Sequence, residues 1–173
     1  APLMVLLLDV VLVSGSGFGP VGRRAGWHAA LFSTWLLLGW LVLQTGGNRG
    51  GSVGFGVGVA WWDYGLTQFR AVAHYLVLAL WPSSLVFEYG TFWIAHPADV
   101  AVEAAVLLGL LGLTITGLAG RHPLSLLGAW FLGILAPTSL APGTTQMIVE
   151  HRLYLPLAAV ILASALGVAR AGA

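Results

Sequence analysis

Apolar residues in this chain run in blocks, separated by short stretches rich in Gly, Pro, Ser and Thr. The blocks are Pro2–Val13, Gly26–Leu43, Leu66–Trp81, Val100–Ala119, Leu124–Ala136 and Leu153–Ala169. A helix that crosses a bilayer needs about 20 mostly apolar residues, and three of the blocks are near that length without interruption. Val100–Ala119 is the cleanest, with Asp99 and Glu103 in or near its first turn, where the positive end of the helix dipole favours acids. Pro2–Val13 is short and reads as the tail of a helix already under way at residue 1, so the chain reads as a fragment. The pattern predicts an all-α fold. In detail it predicts a polytopic helical membrane fragment with about four to six membrane helices, one of them interfacial or re-entrant.

Two blocks depart from a plain span. A helix from Pro123 to Pro137 would rise only roughly 20 Å at 1.5 Å per residue, against a hydrocarbon core of about 30 Å. Either TSLAP finishes the crossing in extended form beside a polar pocket near Thr138 and Ser139, or the block is a tilted or locally thinned contact. The block Leu66–Trp81 is interrupted by Gln68, Arg70 and His74. Asp63, Thr67, Arg70 and His74, spaced by four, three and four, fall on one stripe of a helix, with Leu66, Phe69, Val72, Leu76 and Leu80 on the other side. Such a stripe faces water at the interface or lines a cavity in which Arg70 and His74 hold an anionic group.

Composition narrows the class. Hydrophobic residues make up 58% of the chain and charged residues 8%, against about 25% charged in a soluble domain. With no Cys and no metal-ligand spacing among five His, neither a disulfide frame nor a zinc site is expected. A net charge of +1 excludes a broad basic face for nucleic acid. Trp27, Trp61, Trp62, Trp81 and Trp93 fall near block ends, where amphipathic rings favour the headgroup layer.

Two spanning blocks separate the FEYG stretch (Phe87–Gly90) from the EHR stretch (Glu150–Arg152), which places both loops on one face. If Leu66–Trp81 does not cross, Arg23, Arg24, Arg121 and Arg170 share one side, with Arg49 and Arg152 opposite. The positive-inside rule prefers that arrangement and puts FEYG and EHR on the extracytoplasmic side. Asp9, inside an apolar block, is either a functional intramembrane acid or a residue at the headgroup boundary.

Glu150, His151 and Arg152 stand at the start of the last apolar block. A helix N-terminus already favours an anion, and Arg adds a planar, permanent charge suited to phosphate oxygens. The alternative is an Arg that snorkels to the headgroups with Glu150 as its partner. Glu88 and Tyr89 pair an acid with an aromatic ring, a combination that binds sugar hydroxyls and stacks on a sugar face. It equally describes a solvated acid beside a belt aromatic.

Taken together, WPSSLVFEYG, PTSLAPGTTQ and EHRLYLPLAAV resemble the membrane portion of bacterial tetratricopeptide-repeat proteins related to the transmembrane O-mannosyltransferases. These belong to the integral-membrane glycosyltransferases that use polyprenyl-phosphate-linked sugars. The pattern is matched by Glu150, His151, Arg152, Tyr154 and Pro156, and less specifically by Trp81, Pro82, Tyr89 and Gly90. Glu88 stands where the family is expected to carry Asp.

The resemblance implies that residues 1–173 are the C-terminal half of a glycosyltransferase-like domain in a bacterial inner membrane. It implies a donor-phosphate site at Arg152, Glu150, His151, Arg70 and His74, and a sugar or acceptor contact at Glu88 and Tyr89. It further implies a polyprenyl-phosphate-linked sugar as donor and no metal. The catalytic acid would lie upstream of this segment, and repeats that recruit a protein acceptor downstream. A transporter or flippase segment and a non-catalytic anchor for a repeat scaffold remain the competing readings.

Overall fold

The computed structural model describes residues 2–13, 19–44, 48–49, 53–54, 58, 60–83, 86, 89–140, 142 and 148–172. Glu88 lies outside them. Helix α1 (Pro2–Leu8) runs into a wider π-helical turn, Asp9–Val13, and a short α2 (Gly19–Arg23) precedes α3 (Ala25–Gln44). After α4 (Trp61–Leu80), a 3-10 turn at Pro97–Val100 leads into α5 (Ala101–Ala119). Then come α6 (Ser125–Leu140), a 3-10 turn at Glu150–Leu153 and α7 (Tyr154–Ala171). Asn48–Arg49 and Val53–Gly54 form a two-residue antiparallel pair, the only strand pairing among the described residues.

The all-helical expectation holds, but the expected number of spans does not. Among the described residues three helices are long and apolar enough to cross a membrane, Ala25–Gln44, Pro97–Ala119 and Glu150–Ala171, not four to six. The reason is length and polarity. Pro2–Val13 is short, α6 has 16 residues and rises roughly 24 Å at 1.5 Å per residue, and α4 carries the polar stripe. The three long helices expose apolar side chains such as Trp35, Leu36, Leu43, Leu108, Leu113, Ile161 and Val168, surface suited to lipid.

Helices α5 and α6 form the hairpin that the GRHP connection predicts. His122 N–H donates to Gly117 C=O at 2.7 Å and Arg121 N–H to Leu118 C=O at 3.0 Å, the paired bonds of a Schellman ending. Its left-handed position is held by Arg121, at φ 55°, where a Cβ is disfavoured by roughly 1–2 kcal/mol. Arg121→Gly is therefore expected to raise stability by about 1 kcal/mol after the glycine's entropy cost, read as a later unfolding midpoint in micelles; a midpoint that falls would mean the guanidinium holds the turn.

Small residues let the two helices approach. A Cβ built on Gly117 would stand 2.7 Å from Ser125 Cβ, and one on Gly128 would overlap the Thr114 hydroxyl. Helix α4 packs Ala71, Val72, Tyr75 and Leu78 against Leu107, Phe131, Leu135, Ile148, Leu153 and Ala159, the main core.

At Pro137 the structure corrects the sequence reading, because α6 does not stop there. It continues to Leu140, although proline forfeits one helical hydrogen bond. Side chains of α4 hold the extra turn: Tyr64 donates to Thr138 C=O at 2.6 Å and Trp61 Nε1 to Leu140 C=O at 3.3 Å. The last carbonyls of a helix have no partner within it, and here a neighbour supplies donors. Ser139 does line a cavity, but helix rather than extended chain forms its wall.

Candidate functional site

Every hydrogen bond or ion pair described between α4 and the rest of the fold falls at one end of the α5–α6–α7 unit. Arg70 reaches the start of α5, Tyr64 and Trp61 the end of α6, and Tyr75 the strand-like lead into α7. Helix α4 is not among the three helices long and apolar enough to cross a membrane.

The 4-3-4 stripe exists, and it is partly covered. Thr67 is fully buried; its hydroxyl donates to Asp63 C=O at 2.9 Å and accepts Ile94 N–H at 3.2 Å. Arg70 Nε donates to Glu103 Oε1 at 3.0 Å, and its terminal nitrogen to Asp99 C=O. His74 lies edge-on to Tyr89, with ring centroids 5.0 Å apart and planes at 79°. The segment from Tyr89 to Glu103 thus contacts this face of α4, burying Thr67 and leaving the Arg70 side chain 43% exposed.

One residue around the helix runs a second stripe with the same spacing: Tyr64, Gln68, Ala71 and Tyr75, all buried. Tyr75 accepts Val149 N–H at 2.9 Å, which fixes the chain immediately before Glu150. Tyr64 accepts a hydrogen bond from Arg152 while donating to Thr138 C=O. Burial pushes both phenols above their ordinary value, and the nearby Arg152 charge works in the opposite direction. Neutral at physiological pH, the two phenols hold fixed hydrogen-bond roles beside a permanent cation.

Glu150 binds the incoming loop. Its Oε1 accepts Val86 N–H at 2.6 Å and the Tyr89 hydroxyl at 2.9 Å. Desolvation first, and then the Glu150 carboxylate, raise the Tyr89 phenol. Glu150, Tyr89, His74, Tyr64, Tyr75 and Arg152 therefore make one connected cluster. Of the residues singled out from the sequence, Arg152, Glu150, Tyr89 and His74 come together. Arg70 is engaged by Glu103 and Asp99, and His151 is exposed.

Tyr64 and Tyr75 are the residues that sequence reasoning missed. Their signal was available as a second 4-3-4 stripe, masked because tyrosine counts as apolar.

No family model, curated protein or solved structure matches this chain. Its site therefore has to be read from its own geometry.

A second polar cluster sits at the other end of the sequence. Asp9, buried in the π turn, accepts from Arg24 and pairs with His28 Nε2 at 2.8 Å. Among the described residues no three His, Asp or Glu side chains are grouped to hold a metal ion.

Proposed function

We propose that this chain is part of an integral-membrane glycosyltransferase of a bacterial inner membrane. It would transfer a sugar from a polyprenyl-phosphate donor to an acceptor hydroxyl on the extracytoplasmic face. One observation carries the reading. Two of the three stretches behind the family resemblance meet where Tyr89 donates to Glu150, 61 positions further on and two positions from Arg152.

Arg152 is the group for the donor phosphate. As the glycosidic bond breaks, negative charge grows on the leaving phosphate, and a fixed cation then stabilises the transition state more than the ground state. Tyr64 holds the guanidinium, and Glu150 ties down the loop that carries Tyr89. Arg70 already has two partners, so His74, in contact with Tyr89, is the better second donor. A transporter builds its substrate site from discontinuous helices, whereas α6 is continuous through Pro137. A plain anchor has no use for the buried phenol that holds Arg152.

A charge-assisted hydrogen bond contributes roughly 1.5–3 kcal/mol, so Arg152→Ala is expected to slow transfer by about one to two orders of magnitude. Arg152→Lys recovers only part of the rate, because an ammonium lacks the planar fork. Tyr64→Phe costs less than Arg152→Ala and adds little on top of it, as expected for residues acting as a unit. The measurement is sugar transfer in membranes carrying the full-length protein at subsaturating donor, normalised to inserted protein. Wild-type transfer by Arg152→Ala would end the phosphate role. Full recovery by Lys, with loss only of insertion, would support snorkelling instead.

A further inference from the structure

Helices α1, α6 and α7 leave an apolar groove of about 390 Å³ between them. Helix α1 lies along α6, with Met4 beside Gly133, and the groove runs on past Leu8, Leu127, Leu162 and Leu166. Leu12 and Leu162 line it while remaining exposed, so it opens sideways to lipid. On α7, Leu162 and Leu166 stand four apart, and four further on the same face comes Arg170. On α6 the lining ends at Pro123, two residues after Arg121 in the hairpin turn. Both arginines are exposed, and neither side chain has a partner among the described residues. Asp9, between Leu8 and Leu12, is already paired with Arg24 and His28. The other described acids, Asp63, Asp99, Glu103 and Glu150, stand at or just before the starts of α4, α5 and α7, at the far end of the bundle.

We infer that this groove binds an anionic phospholipid of the bilayer, with an acyl chain laid along the leucines and the phosphate held by Arg121 and Arg170. Charge names the occupant. An apolar groove alone would take any lipid, but two uncompensated guanidiniums at one end select a negatively charged headgroup. Length agrees with it. From Ala158, which lines the groove, to Arg170 the helix rises about 18 Å at 1.5 Å per residue. One leaflet supplies about 15 Å of a ~30 Å hydrocarbon core, so the chain ends near the midplane when its headgroup is level with Arg170. Helix α7 belongs to a candidate span, which puts this face in contact with lipid. The groove lies at the opposite end of α7 from Arg152, and the inference does not rest on the donor-phosphate reading.

The test uses the full-length protein in detergent micelles, titrated separately with dioleoyl phosphatidylglycerol and dioleoyl phosphatidylcholine. Bound lipid per chain is read by native mass spectrometry. Phosphatidylglycerol should saturate at a single molecule, about tenfold more tightly than phosphatidylcholine, whose net charge is zero. Arg121→Gln and Arg170→Gln should each weaken phosphatidylglycerol about fivefold, leave phosphatidylcholine unchanged, and together remove the preference. The double Lys variant at the same positions keeps the charge and should keep most of the preference. Leu162→Trp, which fills the groove from its exposed side, should weaken both lipids, whereas Arg152→Ala should change neither. Several results would each overturn the inference. The two lipids could bind equally, or the preference could survive the double Gln variant or be lost in the double Lys variant. Leu162→Trp could bind phosphatidylglycerol as well as wild type, or Arg152→Ala could remove the preference, which would place the lipid at the donor end. Soluble glycerol 3-phosphate competing as strongly as the lipid would also overturn it, because the groove would then contribute nothing.

Discussion

Replacing Asp9 by leucine will cost the chain about 3 kcal/mol of stability, more than any conservative change on the outer face of α3. The carboxylate is nearly buried, with a side-chain exposure of 8%, and it meets His28, itself 11% exposed, at 2.8 Å. Removing one member of a buried pair leaves the other without compensation, typically a loss of 3–5 kcal/mol. The lower end applies here because Arg24 is 45% exposed and can turn to the headgroups. His28 has no such escape. Its Nδ1 is already buried without a partner among the described residues, so the variant strands the whole ring. Asp9→Asn keeps an acceptor and should cost about half as much, and Arg24→Ala less again. Denaturant unfolding in mixed micelles reads the order. Equal midpoints for Asp9→Leu and wild type would mean that this cluster does not hold α1 against α3.

A leucine at Gly128 should be at least as damaging, by roughly 3 kcal/mol, for a steric reason. The missing side chain of Gly128 is the space that Thr114 occupies. Thr114 cannot yield easily. It is β-branched, 6% exposed, and its hydroxyl is bonded to Leu110 C=O at 2.7 Å. Overpacking a tight contact costs about 1–3 kcal/mol, and separating α5 from α6 would also uncover Ser125 against Gly117. The control is a compensating pair. Thr114→Ala with Gly128→Ala should recover most of the loss shown by Gly128→Ala alone, and failure to do so would place the strain elsewhere.

How legible this fold was depended on which physical signal a residue sends. The hairpin was readable because two apolar runs and a Gly-Arg-His-Pro connection admit little else. Even so, the left-handed residue proved to be Arg121 and not the preceding glycine. Pro137 misled because proline reports only its own lost bond. The donors that extend α6 past it, Tyr64 and Trp61, lie more than seventy positions away. The polar stripe of α4 was readable from spacing, while what partly covers it, the segment from Tyr89 to Glu103, was not. At the site, charge and motif singled out Glu150 and Arg152. Tyr64, which holds Arg152, sends no such signal, because its hydroxyl acquires a role only through tertiary contact. Glu88, read from sequence as a sugar contact, falls outside the described residues.

The placement of α4 carries a consequence for biogenesis. The bonds that seat it come from Glu103, Thr138, Leu140 and Val149, all synthesised after it, whereas the α5–α6 seam joins residues only a few turns apart. Because local contacts form faster than distant ones, the hairpin closes as soon as its two arms leave the translocation machinery. Helix α4 gains its bonds one at a time, as Glu103, Thr138, Leu140 and finally Val149 emerge. A released chain truncated just before Val149 would then hold a closed hairpin with α4 bound through Arg70, Tyr64 and Trp61 alone, and Tyr75 would lock only when the Val149 amide is present.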